Sequence, residues 1–272
     1  GFAAKKHDGL ILTGGEPTVF KELAALIKYS LSKGLTPRLI TNGQKTADRK
    51  YLKSLYDAGL RLMHTSVHSS SAATQAKLSR NPKSLANIIK TLDNAGELGL
   101  EVDINTTITK VNAPELGSLV EWLVARWPHL RHFVWNNLDP MMNGVSLGPD
   151  LVPKLRDLEV GLHRAMGYLA SSGRTFRIAR VPLCYMSDYP ECSTETRRIV
   201  KKEGRSIYFL DEKGLQEQHG MHWSYGKSPR CKECSLTDVC AGLYMAGKHY
   251  STEELCPSAL PSAEVRRRIG DG

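Results

Sequence analysis

The sequence contains no long hydrophobic segment. No stretch of its 272 residues approaches the roughly 18 consecutive apolar residues that a membrane-spanning helix needs. The apolar run that begins at Leu10 is too short for the hydrophobic region of a signal peptide, and it ends in a glycine turn. These absences exclude a membrane partner, and the compartment that we expect is the cytoplasm.

Cysteine is absent from the first two thirds of the chain. The six cysteines are Cys184, Cys192, Cys231, Cys234, Cys240 and Cys256. Disulfides are disfavoured in a cytosolic protein, where clustered cysteines more often bind metal or carry out redox chemistry. The C-terminal third is therefore predicted to hold a metal or redox centre.

Aromatic residues are also few, at 7%, whereas the formal net charge is +9. Excess positive charge can indicate a nucleic-acid partner. Here the cations are scattered along predicted helix faces, with small clusters at 197–198, 201–202 and 266–268, and no aromatic-rich binding motif accompanies them. We interpret the charge as a solvated surface, with attraction of an acidic substrate as the alternative, and expect no nucleic-acid partner.

Strand and helix signals alternate from Gly9 to about Arg180, which is typical of a parallel sheet with crossover helices. A long amphipathic helix is predicted over about 151–169, and the alternation stops after Arg180. The predicted strands are 9–13, 38–41, 61–67, 101–109 and 132–136. The sequence thus predicts an α/β domain followed by a small extension.

The first predicted strand runs directly into Gly14-Gly15-Glu16-Pro17. Glycine lacks the Cβ that would block the approach of a backbone to a ligand. The carboxylate of Glu16 suits a cationic amine better than a phosphate, and Pro17 is tolerated in the first turn of the helix that follows. The run is predicted to bind a ligand, with an ordinary strand-to-helix turn as the alternative.

Polar residues also follow the other predicted strands. In parallel sheets and barrels, ligands bind at the carboxyl ends of the strands. Any one of these residues could serve turn chemistry alone, but five strand ends in succession favour one shared site. The residues concerned are Thr41, Asn42, Ser66, His68, Asn105, Thr107, Asn136 and Asn137.

A second motif, Cys231-x2-Cys234-x5-Cys240, lies in the extension. Both zinc and iron–sulfur clusters take four thiolates, and this spacing suits either of them, with zinc slightly ahead on spacing alone. The fourth ligand must be Cys184 or Cys256, and Cys192 is a weaker candidate.

Taken in order, these elements resemble the radical SAM enzymes, in which Gly-Gly-Glu-Pro holds the methionyl amino group of S-adenosylmethionine (SAM). The resemblance implies a partial (β/α)6 parallel barrel. It also implies that Thr-Asn-Gly lines the cavity, that the serine contacts the carboxylate or ribose of SAM, and that the later strand lies near the ribose. The residues assigned to SAM in this way are Gly14, Gly15, Glu16, Pro17, Thr41, Asn42, Ser66, Asn105 and Thr107.

The cysteine motif, followed by glycine, is similar to the auxiliary-cluster segment of the twitch and SPASM extensions of these enzymes. Tyr244 stands where the SPASM pattern has a further cysteine, so the resemblance implies one 4Fe–4S cluster, as in the twitch type. It favours Cys184, in Pro-Leu-Cys, over Cys256. The ligand set is then Cys184, Cys231, Cys234 and Cys240, and the domains are a barrel over 1–174 and an extension over 175–272.

The C-x3-C-x2-C loop that binds the catalytic 4Fe–4S cluster in this family is absent from the sequence. The family's half-barrel has six strands with Gly-Gly-Glu-Pro after the second, whereas five strands are counted here. We therefore expect one βα unit, with the ligands of the catalytic cluster, N-terminal to Gly1. The alternative is a protein that lacks this cluster and binds SAM or another ligand without radical chemistry.

The resemblance implies an enzyme that reductively cleaves SAM and uses the resulting radical to modify a substrate. Enzymes with this extension often act on ribosomally made peptides, so a peptide is the first choice. A small-molecule biosynthetic substrate is the alternative, as is a non-catalytic SAM- or metal-binding homologue. An electron donor such as flavodoxin or ferredoxin is the expected protein partner.

Overall fold

The structure is a computed structural model that describes residues 7–140, 150–202, 207–211, 214–218 and 225–270. It divides into two units, one over Gly1–Trp135 and Gly161–Phe176 and the other over Asn136–Val160 and Arg177–Gly272. The strands are β1 (Gly9–Leu12), β2 (Thr36–Thr41), β3 (Leu62–Ser66), β4 (Glu101–Ile108), β5 (His132–Asn137), β6 (Thr175–Ala179), β7 (Ile207–Asp211), β8 (Gly214–Gln218), β9 (Tyr225–Gly226) and β10 (Leu243–Tyr244). The α-helices are α1 (Leu23–Ser32), α2 (Arg49–Asp57), α3 (Ala72–Ser79), α4 (Ser84–Leu98), α5 (Leu116–Arg126), α6 (Leu155–Ser171), α7 (Thr194–Lys201) and α8 (Ser262–Gly270).

Strands β1 to β6 form one sheet in the order β1-β2-β3-β4-β5-β6. Pairs β1–β2, β2–β3 and β3–β4 are parallel, with Ile40 opposite His64 and His64 opposite Asp103. The strands follow one another in chain order with helices between them, as in an α/β half-barrel. The predicted fold class is confirmed, and the parallel order brings the carboxyl ends of β1 to β4 to one edge of the sheet.

Alternate residues of β3 and β4 face opposite sides of the sheet. Met63 and Thr65 are fully buried on the side that carries the helices, whereas His64 and Ser66 on the other side are half-buried. The helices complete the core with fully buried leucines and isoleucines, which are Leu52, Leu55, Ile88, Leu92, Leu119 and Leu123.

Capping side chains fix where several helices begin. Asp48 accepts hydrogen bonds from Lys50 N (2.8 Å) and Tyr51 N (3.4 Å) at the start of α2. At the start of α4, Lys83 occupies the cap position without a side-chain cap, and Ser84 is the first helical residue. The Ser84 hydroxyl accepts from Gln75 Nε2 (3.1 Å), which ties α4 to α3.

The five predicted strands are present, with ends shifted by one or two residues. The sheet contains a sixth strand, β6, that begins at Thr175, just past the predicted end of the barrel at residue 174. The described sheet therefore already has six strands, and the strand count by itself does not indicate a missing unit.

The second unit has little regular structure. Strands β9 and β10 form a short antiparallel pair that flanks the Cys231–Cys240 segment, and Ser193 caps α7 by accepting from Thr196 N (3.3 Å). Among the helices that the structure describes, none is both long enough and apolar enough to cross a membrane.

Candidate cofactor sites

The turn after β1 leaves backbone open to a ligand. Gly14 and Gly15 are exposed, and no atom lies within 4 Å of the place where either Cβ would stand. Gly14 has a φ of +129°, which residues with a side chain rarely adopt. The glycine pair therefore offers a ligand a backbone surface without side chains, which fits the SAM contact that the resemblance implies.

Glu16 joins this turn to the turn after β2. Its Oε1 accepts from Thr18 N (3.2 Å), Thr18 Oγ1 (2.6 Å) and Thr41 Oγ1 (2.7 Å). Its Oε2 accepts from Asn42 N (2.7 Å). Sequence reasoning pairs this carboxylate with a ligand amine, whereas in the structure it binds four protein donors. Thr41 is buried, so Glu16 and Thr41 hold the two turns together and leave the Gly14–Gly15 backbone and the exposed Asn42 beside them.

Two residues that sequence reasoning missed support the same turn. Lys45 Nζ and Tyr51 Oη each donate to the carbonyl of Thr18 at 2.9 Å, and Lys45 Nζ lies 4.4 Å from the centre of the Tyr51 ring. Burial, and then the negative charge of Glu16, raise the pKa of the Tyr51 hydroxyl. No sequence motif marks this pair, because both residues come from the α2 region and reach the turn only in the folded sheet.

Ser66 and Asn105 lie opposite each other at the carboxyl ends of β3 and β4. Both side chains are half-buried, as is Thr107 two residues further along β4. The Ser66 hydroxyl makes no hydrogen bond within the described part of the chain, so it can serve a ligand. The structure thus brings three more of the predicted SAM residues to the same edge of the sheet as Gly14 and Asn42.

His68 is held by the protein just beyond β3. Its Nδ1 accepts from Thr107 N (3.3 Å), its amide donates to Gln75 Oε1 (2.8 Å), and its carbonyl accepts from Asn112 Nδ2 (2.9 Å). Burial lowers the pKa of His68 to about 4, so the imidazole is neutral near pH 7. These bonds give His68 a positioning role between β3 and β4.

A buried acid–histidine pair lies further down the same side of the sheet. His64 Nδ1 on β3 is 3.3 Å from Asp103 Oδ2 on β4, and their side chains are 16% and 9% exposed. Burial, His132 and Arg38 lower the pKa of His64 to about 4, while burial and Glu101 raise the pKa of Asp103 to about 7. Sequence reasoning missed this pair, because only the strand register brings the two residues together.

In the second unit, five cysteines line one small pocket, together with apolar residues such as Leu183 and Leu236. The cysteines are Cys184, Cys231, Cys234, Cys240 and Cys256. All four residues of the predicted ligand set are therefore brought together, and Cys192 is not among the lining residues.

Donor groups of the protein surround the sulfurs of this pocket. Ser258 N donates to Cys234 Sγ and Gly242 N to Cys240 Sγ, both at 3.3 Å, and Ser228 Oγ lies 3.6 Å from Cys231 Sγ. Hydrogen bonds to sulfur favour the thiolate form and are typical of metal–sulfur sites. The arrangement fits thiolate ligation of a metal centre.

The nature of that centre is constrained by donor spacing. Within the described residues, no three His, Cys, Asp or Glu side chains are grouped so that they could hold a single metal ion. Zinc–sulfur bonds of about 2.3 Å would require four sulfurs in close contact. In a 4Fe–4S cluster each thiolate binds a different iron, so a wider ring of cysteines is suitable.

Cys184 and Cys256 differ in environment. Cys184 is half-buried, and burial raises its pKa to about 12, an effect that the backbone amide of Cys256 opposes. Cys256 is exposed, and its Sγ lies 3.9 Å from the carbonyl of Glu254. Both remain at the pocket, so the structure keeps both as possible fourth ligands.

Asp139 and Arg180 belong to a polar network in the same unit. Arg180 has a φ of +64°, which is unusual for a residue with a side chain, and its Nε donates to Asn137 O (2.6 Å). Arg180 N and Tyr225 Oη both donate to Glu195 Oε1, at 3.1 and 2.9 Å. Asp139 accepts from Tyr244 Oη (2.9 Å). These bonds fix the chain segments that follow β5 and β6.

Comparison with known proteins agrees with this geometry. Residues 2–123 match the family model described as the Radical SAM superfamily. A GTP 3′,8-cyclase of Nautilia profundicola is 34% identical over 114 residues, which cover 41% of this chain and 35% of the relative. A PqqA peptide cyclase of Methylobacterium nodulans is 27% identical over 167 residues, which cover 58% of this chain and 43% of the relative. The matches thus span less than half the length of these two relatives.

A solved structure supports the fold. The structure of native anSMEcpe with bound AdoMet and Cp18Cys peptide aligns with a TM-score of 0.60 at 14% identity, covering 97% of this chain and 83% of that chain. In sequence, residues 2–123 are therefore similar to a radical SAM domain, and the two relatives matched in sequence are named as cyclases.

Proposed function

We propose that this chain is part of an enzyme that reductively cleaves SAM and uses the resulting radical to modify a ribosomally made peptide. The observation that carries the proposal is the joined pair of turns, in which Glu16 binds Thr41 and Asn42 while Gly14 and Gly15 stay open. A turn supported so heavily from within the protein presents its backbone in a fixed position, which lowers the entropic cost of binding a flexible cofactor.

The residues divide into two roles in this proposal. Gly14, Gly15 and Asn42 would contact SAM with exposed backbone and side-chain groups. Ser66, Asn105 and Thr107 would line its other side. Glu16, Pro17 and Thr41 would hold the turn. When bound, SAM and a reduced 4Fe–4S cluster supply the radical chemistry, and the protein supplies binding and orientation.

The cysteine pocket would hold an auxiliary 4Fe–4S cluster, with Cys231, Cys234 and Cys240 as three of its ligands. Cys184 is our choice for the fourth, because it is half-buried and would be shielded from solvent with the cluster. Cys256 is the alternative. The catalytic cluster needs cysteines that the sequence before Cys184 does not contain, so residues outside this sequence would bind it, and flavodoxin or ferredoxin would reduce it.

Two substrate classes have support. The PqqA peptide cyclase by its name acts on a peptide, and the solved structure of anSMEcpe contains one. The GTP 3′,8-cyclase, at 34% identity, favours a small molecule as the second candidate. We favour the peptide because anSMEcpe, the peptide-bound neighbour, aligns over nearly the whole chain, whereas the match to the GTP cyclase covers 41% of it.

The test is anaerobic reconstitution of the complete gene product with iron and sulfide. We expect about eight irons per chain, for two 4Fe–4S clusters, and 5′-deoxyadenosine that forms only with SAM and a reductant. A protein with an intact catalytic cluster that forms no 5′-deoxyadenosine would refute the enzyme and leave the non-catalytic homologue. Zinc in the cysteine pocket would refute the auxiliary cluster.

The fourth ligand is tested by Cys184→Ser against Cys256→Ser, with Cys192→Ser as the matched control outside the pocket. Loss of auxiliary iron in Cys184→Ser alone is the expected result. Loss in Cys256→Ser alone would assign the ligand to Cys256 instead. The control should keep its full iron content, because Cys192 does not line the pocket.

A further inference from the structure

Residues from 152–156, where α6 begins, and from 248–254 line an open cavity of about 790 Å³ in the second unit. Cavities that bind ligands usually measure about 300–1,000 Å³. The residues assigned above to SAM and to the metal centre do not line it. The cavity is therefore a feature that the cofactor sites leave unused.

Three cations border the cavity. The side chains of Lys154, Arg156 and Lys248 line it and make no hydrogen bond or ion pair with any residue that the structure describes. A cationic wall without internal partners attracts an anionic ligand.

Two carboxylates also line the cavity, but one of them is already engaged. Glu254 accepts from Leu155 N (3.3 Å) and Arg156 N (3.4 Å), so it satisfies free amides at the start of α6. Glu253 is exposed. The side chains of Lys154, Arg156 and Lys248 carry three positive charges against the two negative charges of Glu253 and Glu254, so the described lining has a small net positive charge.

Two residues with aromatic rings, His249 and Tyr250, are among the described residues of the lining; the His249 imidazole is half-buried, and Tyr250 does not offer its ring to a ligand. Tyr250 is 2% exposed, and its hydroxyl donates to Leu138 O (2.7 Å). Nucleotide bases are commonly held by stacking on exposed aromatic rings. The size and positive charge of the cavity suit an extended acidic chain, and the Tyr250 ring gives a nucleotide base no exposed surface on which to stack.

We propose that this cavity binds an acidic segment of the peptide substrate through Lys154, Arg156 and Lys248. The inference rests on the proposed peptide-modifying function and names where and how part of the peptide is held. The cavity and the cysteine pocket are separate, but one short segment contributes to both, since Glu254 lines the cavity and Cys256, two residues later, lines the pocket. Tyr185, next to Cys184, donates to Glu254 O (2.8 Å), which fixes this link.

The experiment measures binding of a fluorescently labelled, glutamate-rich short peptide to the complete gene product by fluorescence anisotropy. The same peptide with glutamine at every glutamate is the uncharged comparison. We expect Lys154→Glu/Lys248→Glu to weaken binding of the glutamate peptide by about tenfold or more, since each exposed charge contact contributes modestly and both are reversed. Lys154→Gln/Lys248→Gln should weaken it less, and raised salt should weaken it in the parent protein.

The matched control is Lys28→Glu/Lys90→Glu, which makes the same charge change at two exposed lysines of the first unit. This control should bind as the parent does, and circular dichroism checks that each variant is folded. Equal weakening in the control, or equal binding of the glutamine peptide, would overturn the proposal. Displacement of the peptide by micromolar nucleoside triphosphate would also overturn it, in favour of a small anion.

Binding is read without SAM cleavage, so the two proposals fail separately. Loss of 5′-deoxyadenosine formation with peptide binding intact would contradict the enzyme alone. Normal 5′-deoxyadenosine formation with no charge-dependent binding would contradict only the cavity.

Discussion

The His64–Asp103 pair gives a prediction in which two variants have opposite pH dependences. Unfolding returns the pKa of Asp103 from about 7 to 3.8, and that of His64 from about 4 to 6.5. Between about pH 4 and 6.5 the folded protein therefore holds a proton on Asp103 that the unfolded chain has lost. Over the same range the unfolded chain holds a proton on His64 that the folded protein lacks. Inside the fold the contact is then one between two neutral groups.

The two groups act on stability with opposite signs. The free energy of unfolding changes with pH in proportion to the protons bound by the unfolded state minus those bound by the folded state. Asp103 makes this difference negative, so its contribution to the free energy of unfolding falls by up to about 4 kcal/mol as the pH rises from 4 to 7. His64 makes the difference positive, so the contribution of His64 to the free energy of unfolding rises by up to about 3 kcal/mol from pH 4 to 6.5. In the parent protein the two nearly cancel.

Single substitutions should reveal each slope. In Asp103→Asn the amide can still donate to His64 Nδ1, but the titration of Asp103 is gone. Its stability minus that of the parent should therefore rise across pH 4 to 7. In His64→Asn an oxygen replaces Nδ1, and the corresponding difference should fall from pH 4 to 6.5.

The assay is urea unfolding followed by tryptophan fluorescence at a series of pH values and constant ionic strength. Three of the four tryptophans, Trp122, Trp127 and Trp135, belong to the first unit, so with Trp223 replaced by Phe in every protein compared the signal reports on the unit that contains the pair. Asp57→Asn, at an exposed carboxylate paired with Lys53, is the control and should change with pH by no more than about 0.5 kcal/mol. The claim that burial sets these two pKa values would be refuted if the stability difference between variant and parent did not change with pH for either variant. It would also be refuted if that difference changed with pH in the same direction for both variants.

Three further predictions concern the turn after β1. Glu16→Gln loses charge-assisted hydrogen bonds to the neighbouring turn and should destabilise the protein by about 1–3 kcal/mol in thermal denaturation. The control is Glu22→Gln, at an exposed helix start without a side-chain cap, and it should be nearly neutral. Equal effects of the two substitutions would contradict the claim that Glu16 joins the two turns. Gly14→Ala should lower the free energy of unfolding by about 1–2 kcal/mol, because Gly14 has a positive φ. Gly15 has no such restraint, so Gly15→Ala should be less destabilising in the same melts but should weaken SAM binding measured by calorimetry. An unchanged affinity for SAM would remove the glycine pair from the SAM site. Tyr51→Phe loses one of two hydrogen bonds to the turn's carbonyl and should cost about 1 kcal/mol, and a neutral result in urea unfolding would show that Lys45 alone suffices.

The sequence predicts the parts of the fold that depend on local patterns. Alternation of strands and helices with glycine and polar residues at the strand ends predicts a parallel sheet and the edge where ligands bind. The Gly14–Gly15 turn is predictable for the same reason, because an open backbone needs glycine at that position. Strand β6 was missed as part of the barrel because it follows the long helix, just beyond the predicted domain boundary at residue 174.

Features that depend on tertiary register were not predictable. Glu16 can accept hydrogen bonds from Thr41 and Asn42 only because β1 pairs with β2. Glu16 and Thr41 are 25 residues apart in the chain. Cys184 and Cys256 were both predicted as candidates for the fourth ligand, but spacing could not choose between them, because one precedes and the other follows the Cys231–Cys240 segment in sequence.

The pattern along β3 and β4 explains why this sheet has room for a ligand. Parallel strands that are covered on both faces read as continuous hydrophobic runs. Here Val102, Ile104 and Ile108 alternate with Asp103 and other polar residues, and only the helix-facing set is uniformly apolar or fully buried. A parallel sheet with one polar, half-buried face has helices on one side only, and in a half-barrel that face is the concave interior. The alternation in sequence is therefore the local signal of an interior built to hold polar ligands, and the buried His64–Asp103 pair lies on that same face, below Ser66 and Asn105.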